Sequence, residues 1–283
     1  MNGKKVLSAG LILSLALGVF GCSNIHNIRT NHGTLNSKPD PTLTFLTYNI
    51  RVGGGMEDYG KPPHLLSSSK KNLQKLVDAI RSVNPDVIAL QEVGGFWQAK
   101  FLAKELNYNY VYTSHGNRYF IDWGMAILSK YKIIRSRDHA INHGHEGRDY
   151  DPRAGLEAVL DLHGTKVTVV DIHYHLGNYD AQVHSTMRLL KGLQTPIVLL
   201  GDFNRKEWDR EMQPIYDYMK DTCFEINTDG AKNVRAYGTG FGRIDYIFID
   251  KHSFEVIDVG LIPREHWSAS DHVGYFAKLR LGK

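Results

Sequence analysis

The chain alternates short apolar runs with polar breaks over most of its length. Thr42 to Ile50 is apolar and β-rich, and its pattern predicts a first strand. Leu73, Leu76, Val77 and Ile80 then recur at helical spacing, predicting a helix over 69–83 that Pro85 ends. Asp86 to Leu90 has the composition of a short buried strand and runs into Gln91-Glu92. Further strands are predicted at 108–113, 124–129, 156–162 and 166–173. Asp180 is placed as the cap of a helix reaching Leu193, with Val183, Met187 and Leu190 inward. Pro196 precedes the strongest strand, 197–200. The runs at 244–249, 254–259 and 273–279 complete the set. Strands are frequent and helices few. Two mostly antiparallel sheets packed face to face and flanked by helices, a layered α/β sandwich, fit this order. A doubly wound single sheet would need more helix between 108 and 173.

The N-terminus follows a different pattern. Lys4 and Lys5 precede 15 uncharged, mostly apolar residues, Val6 to Phe20, too few for a comfortable membrane span of about 20. Val19-Phe20-Gly21-Cys22 resembles the lipobox of bacterial lipoproteins, which implies removal of residues 1–21 as a signal peptide and acylation of Cys22. The expected location is the bacterial cell envelope, lipid-anchored. Residues 22–41 are polar, lack an apolar period and end in Pro39 and Pro41, as a flexible tether would. With no second linker and no internal repeat, 42–283 is expected to be one catalytic domain.

Composition adds limits. In 283 residues, 42% are hydrophobic and 23% charged, which excludes wholesale disorder and a multi-span membrane protein. The 34 basic and 30 acidic residues give a net charge of +4. Without Lys4 and Lys5 the balance is 32 to 30, too weak for a nucleic-acid footprint by itself. If Cys22 carries lipid, Cys223 has no partner for an intramolecular disulfide, and a small buried hydrophobe is its expected role.

The candidate chemistry is positional. Asn49, Glu92, His173, His175, Asp202, Asn204, Asp245, Asp271 and His272 each lie at or beside the end of an apolar run. One such residue is usually a turn or a cap. So many suggest one rim where strand ends converge. Carboxylate and amide oxygens suit a hard cation such as Mg²⁺, with Glu92 as first ligand, and a histidine held by a carboxylate suits acid–base work near neutral pH. Asp245 and His272 are the natural pair. Zinc fits less well, since there is no cysteine pair.

Thr47-Tyr48-Asn49-Ile50, Gln91-Glu92-Val93, Gly124 to Ser129, Gly201-Asp202-Phe203-Asn204, Arg243 to Phe248 and Ser270-Asp271-His272 resemble, in order, the signature of the endonuclease/exonuclease/phosphatase superfamily. The resemblance implies a four-layer α/β sandwich of the DNase I-like type and a divalent metal, usually Mg²⁺, with Mn²⁺ or Ca²⁺ as substitutes. It further implies that Glu92 is the direct metal ligand, with Asn49 and Asp271 at the metal side. Asp202 and Asn204 would orient or activate the attacking water and hold the phosphate, and Asp245 would orient His272. His173 would be the phosphate donor or general acid, with His175 as its rival, and Arg153 a phosphate contact. Of the tryptophans, Trp97, Trp123, Trp208 and Trp267 are placed in loops or helix starts, and Trp267 is the candidate to face substrate.

The expected substrate is a phosphodiester, first of all a nucleic acid cleaved by a DNase I-like nuclease. A lipid-headgroup or small-molecule phosphodiesterase or phosphatase is the alternative, and an inactive surface binding module the remote one. Arg205, Lys206 and Arg210 favour a polyanion, while Glu207, Asp209 and Glu211 interleave with them. The membrane is expected as a partner only through the anchor, no protein partner is inferred, and the chain is expected to be a monomer.

Overall fold

The computed structural model describes residues 42–56, 69–118, 121–141, 154–162, 164–194, 196–237 and 242–282. Cys22, the signal peptide, the tether and Arg153 lie outside the described residues. The strands are β1 (Thr42–Asn49), β2 (Val87–Gly94), β3 (Asn109–Arg118), β4 (Ile121–Ser129), β5 (Lys132–Ala140), β6 (Ala154–Leu162), β7 (Thr165–His173), β8 (Ile197–Asp202), β9 (Lys220–Asp221), β10 (Asp245–Ile249), β11 (Phe254–Leu261) and β12 (Tyr275–Leu281). The helices are α1 (Lys70–Val83), α2 (Phe96–Leu106), α3 (Tyr179–Gly192), α4 (Gln213–Tyr218) and α5 (Asp229–Tyr237).

The strands form two six-stranded sheets, ordered β11-β12-β1-β2-β4-β3 and β5-β6-β7-β8-β10-β9. Each contains one parallel pair, β1 with β2 and β7 with β8, in an otherwise antiparallel ladder. Three apolar cores make four layers. The central core joins the inner faces through residues such as Phe45, Ala89 and Ile127 from one sheet and Leu156, Leu160, Val169 and Leu200 from the other. A second core packs α1 and α2 on the outside of the first sheet, and a third packs α3 and α4 on the second. This is the expected sandwich, and the two separate sheets dispose of the doubly wound alternative.

Local chemistry sets the elements. Ser69 caps α1 by accepting from the Asn72 amide, and Leu73, Leu76, Val77 and Ile80 are all buried. At α3 the cap position is Asn178, not Asp180, which falls in the first turn. Asn tolerates the left-handed backbone found there (φ 49°). The edge strand β5 pairs only with β6 and is mostly polar, so it lacks the alternation that marks buried strands. Trp123 departs from its expected loop: it is buried within β4, opposite Gly94.

Candidate active site

The parallel pairs bring the C-terminal ends of β1, β2, β7 and β8 to one edge of the sandwich, and β10 begins there because Asp245 pairs with Asp202. Asp202 is the hub. Its Oδ2 accepts from Asn49 Nδ2 at 3.0 Å, and its Oδ1 accepts from the Asn204 amide at 2.9 Å. Two imidazoles approach the same Oδ2: His173 Nε2 at 3.6 Å and His272 Nε2 at 3.7 Å. The contact to Asn49 crosses from one sheet to the other, so the site exists only when the sheets are packed.

Backbone geometry delivers each group. Gly201 has φ +145° and sits against Ile172 of β7, where a Cβ would fall 1.9 Å from the Ile172 carbonyl oxygen. Only glycine allows that approach, which sets the position of the next residue, Asp202. Glu92 does not end its strand. It lies in a bulge between Leu90 and Val93, where Gln91 and Glu92 face a single residue of β4, and its φ is 52°. Leu90 and Val93 both pack in the outer core. The bulge lets Glu92 turn from that face, and its carboxylate comes to 3.8 Å from His173 Nε2. Asn204 also has a left-handed backbone and donates from Nδ2 to the Tyr174 carbonyl at 2.8 Å.

The second histidine is held from behind. Its Nδ1 lies 2.9 Å from Asp245 Oδ2. Ser270 Oγ donates to the Asn49 carbonyl at 2.7 Å, tying the Ser-Asp-His segment to β1. Burial works against a charged His272, but Asp245, Asp202 and then Asp271 outweigh it and hold its pKa well above the usual histidine value. Burial, with the nearby Asp245 carboxylate, pushes the Asp202 carboxyl up to about 6, against the lowering effects of His272, Asn49 and the Asn204 amide.

The structure therefore brings together Asn49, Glu92, His173, Asp202, Asn204, Asp245 and His272. Between the rival histidines, His173 meets Asp202 and Glu92. His175 lies past the end of β7 with its backbone bonded to Gln182. Asp271 sits at the rim with its Oδ2 3.3 Å from Arg51 Nε. Trp267, the expected substrate-facing tryptophan, is partly buried: its indole donates to the Ile262 carbonyl and its ring meets Tyr237 edge-on.

Residues outside the sequence motifs also support the site. Arg51 braces both ends of the rim, its amide donating to Asn49 Oδ1 and its side chain reaching Gly55 and Asp271. Its only sequence signal is its place directly after Asn49-Ile50. One layer below, Gln91 donates to Asp171 Oδ1 at 2.7 Å and to Thr47 Oγ1 at 3.2 Å, joining β2 and β1 to β7 inside the central core. Burial raises the Asp171 carboxyl well above its usual range despite the bond from Gln91. The His115 ring lies 6.4 Å from that of His173. Nothing in the sequence pairs those two positions.

The donor set fits a hard divalent cation. The converging groups are carboxylate and amide oxygens, and oxygen atoms of Asp202 and Asp245 with a nitrogen of His272 lie within 4.8 Å of one another. The Asp245 carboxylate raises the pKa of Asp202, and a bound cation would relieve that repulsion.

Comparison with known proteins agrees with this geometry. The Endonuclease/Exonuclease/phosphatase family matches residues 46–272. Among curated proteins there is no match. An endonuclease/exonuclease/phosphatase from Beutenbergia cavernae is similar in structure with a TM-score of 0.65 and 21% identity, over 85% of this chain and 72% of that one. A mannosyl-6-phosphatase of Bacteroides thetaiotaomicron gives 0.65 at 19%, over 84% and 99%. The human Nocturnin catalytic domain gives 0.66 at 16%, over 86% and 94%. At these identities the structures speak for the fold alone, here the DNase I-like α/β sandwich. The family match covers most of the chain and all the converging residues, so this chain belongs to the endonuclease/exonuclease/phosphatase family of metal-dependent hydrolases that act on phosphoester bonds.

Proposed function

We propose that this chain is a phosphodiesterase that uses Mg²⁺. The observation that carries the reading is the pair of imidazoles on one carboxylate, His173 and His272 at 3.6 and 3.7 Å from Asp202 Oδ2. Cleaving a diester requires a proton to leave the attacking water and another to reach the departing alkoxide. Asp202, positioned by Asn49 and Asn204, takes the proton from water. The water oxygen bonds to phosphorus as the bond to the alkoxide breaks, and His173 protonates the alkoxide. His272, kept protonated by Asp245, places positive charge beside the phosphoryl oxygens.

Glu92 would hold the cation, with Asn49 at its side and Asp271 at the rim. When bound, the ion supplies Lewis-acid charge to the phosphoryl group. Mn²⁺ or Ca²⁺ would meet the same oxygen donors. Arg153 is proposed as a further phosphate contact. A nuclease and a lipid-headgroup phosphodiesterase are the two diester-cleaving forms of this reading.

The test is turnover of bis-p-nitrophenyl phosphate, p-nitrophenyl phosphate, plasmid DNA and sphingomyelin with Mg²⁺, Mn²⁺ or EDTA. Hydrolysis of a diester that EDTA abolishes is expected. Activity on the monoester alone, or activity indifferent to EDTA, would overturn the proposal. The proposed envelope location rests on the lipobox-like Cys22, and Cys22→Ser should move the protein from the membrane to the soluble fraction.

A further inference from the structure

Eight large hydrophobic side chains stand exposed among the described residues: Met56, Trp97, Ile134, Leu176, Trp208, Tyr218, Phe224 and Tyr237. Single exposed hydrophobics scattered over a surface are ordinary. Five of these are not scattered. Trp97, Leu176 and Trp208 follow β2, β7 and β8 within five residues of Glu92, His173 and Asn204, and Met56 follows β1 seven residues after Asn49. Tyr237 ends α5, just before the segment that carries Asp245. The first four lie in the connections that leave the strand ends carrying the candidate site, and Leu176 is 72% exposed, Trp208 59% and Trp97 49%. Lys206 Nζ lies 5.5 Å from the centre of the Trp208 ring, which puts an ammonium beside one of the two tryptophans.

We infer that this rim docks on a phospholipid bilayer through Trp97, Leu176 and Trp208, with Lys206 at the level of the headgroup phosphates. Tryptophans with a neighbouring lysine are side chains that settle at the lipid–water boundary. Leu176 and Met56 can insert into acyl chains, whereas neither can stack on a nucleobase. Three arginines near the site are engaged internally, Arg51 by Asp271 and Arg205 by Asp209, while Arg243 is buried against Asp221. That arrangement suits a polyanion poorly. The chain ahead of the fold can accommodate the docking. β1 enters from the edge opposite the rim, and its eight residues rise about 27 Å. The 20 residues from 22 to 41 reach at most about 70 Å, so an acyl group on Cys22 and the rim can meet one bilayer. Given the phosphodiesterase reading, on which this last step rests, the substrate is a phospholipid headgroup diester presented at that surface.

The experiment uses the chain from Ser23 onward, which lacks the apolar leader and retains all three cores. It is mixed in EDTA with vesicles of phosphatidylcholine and phosphatidylglycerol, and both co-sedimentation and tryptophan emission are followed. Binding with a blue shift is expected. Trp97→Ser/Leu176→Ser/Trp208→Ser should weaken vesicle binding by at least about tenfold, and Ile134→Ser/Tyr218→Ser, which alters exposed hydrophobics away from the mouth, should not. Circular dichroism of each variant verifies folding. No binding by the parent chain, equal loss in both variants, or a shift caused by an oligonucleotide and not by vesicles would overturn the inference. Hydrolysis of bis-p-nitrophenyl phosphate is measured separately. Its absence counts against the phosphodiesterase reading and leaves the vesicle result to decide the docking.

Discussion

His272 Nδ1 lies 2.9 Å from Asp245 Oδ2, although 27 residues separate the two in the chain. The contact fixes the orientation of the ring and leaves Nε2 toward Asp202. It also keeps the imidazole protonated above the usual histidine range. The sign follows: this ion pair stabilises the fold fully below the unfolded histidine pKa of about 6.5 and is lost as pH rises through the elevated folded value.

Removing either partner separates orientation from charge. His272→Ala should lower turnover by about 10²–10⁴. Asp245→Asn should bring the His272 pKa down toward its ordinary value, read by NMR titration of the ring in metal-free protein. An unchanged titration would show that Asp245 does not hold the proton there.

Asp202 predicts a coupling between pH and metal. Its folded pKa of about 6 exceeds the unfolded value of about 3.9, so its contribution to metal-free stability is present below the unfolded value and is lost as pH rises through about 6. A divalent cation favours the ionised carboxylate. Added Mg²⁺ should therefore raise the melting temperature more above pH 6 than below it, measured by thermal denaturation. An equal effect on both sides would remove Asp202 from the cation's surroundings.

Glu92 combines a proposed ligand with an uncommon backbone. Glu92→Gln should lose most activity and most of the response to added metal, with circular dichroism unchanged. At the same position Glu92→Gly should unfold at a higher temperature than Glu92→Ala, because a left-handed backbone costs an L-residue about 1 kcal/mol. The reverse order would show that the bulge relaxes when its carboxylate is removed.

Gly201 offers the sharpest test of how the site is built. In Gly201→Ala the new Cβ would meet the Ile172 carbonyl oxygen at 1.9 Å with φ at +145°, so a loss of about 3 kcal/mol or more is expected in urea denaturation. A stable and active variant would mean that β7 and β8 can separate without moving Asp202.

The strand-rich sandwich, the first helix with its apolar face, and the residue types at the strand ends are all legible in the linear chain. They follow from periodicity and local chemistry, which act over a few residues. Leu73 to Ile80 can bury only one face as a helix, and Ile197 to Leu200 fits only an inner strand. Packing in three dimensions supplies what local pattern cannot encode. It puts a bulge at Glu92, where the apolar run predicts a strand end, and selects His173 over His175 as the neighbour of Asp202. It also sets Arg51 against Asp271 and Gln91 against Asp171. Each of these depends on the two sheets meeting face to face or on strands that are far apart in the chain. The polar β5 and the true cap of α3 escape the sequence pattern for a related reason: edge pairing and left-handed backbone are set by neighbours rather than by hydrophobic period. The site is thus readable as a set of residues, while its geometry belongs to the packed sandwich.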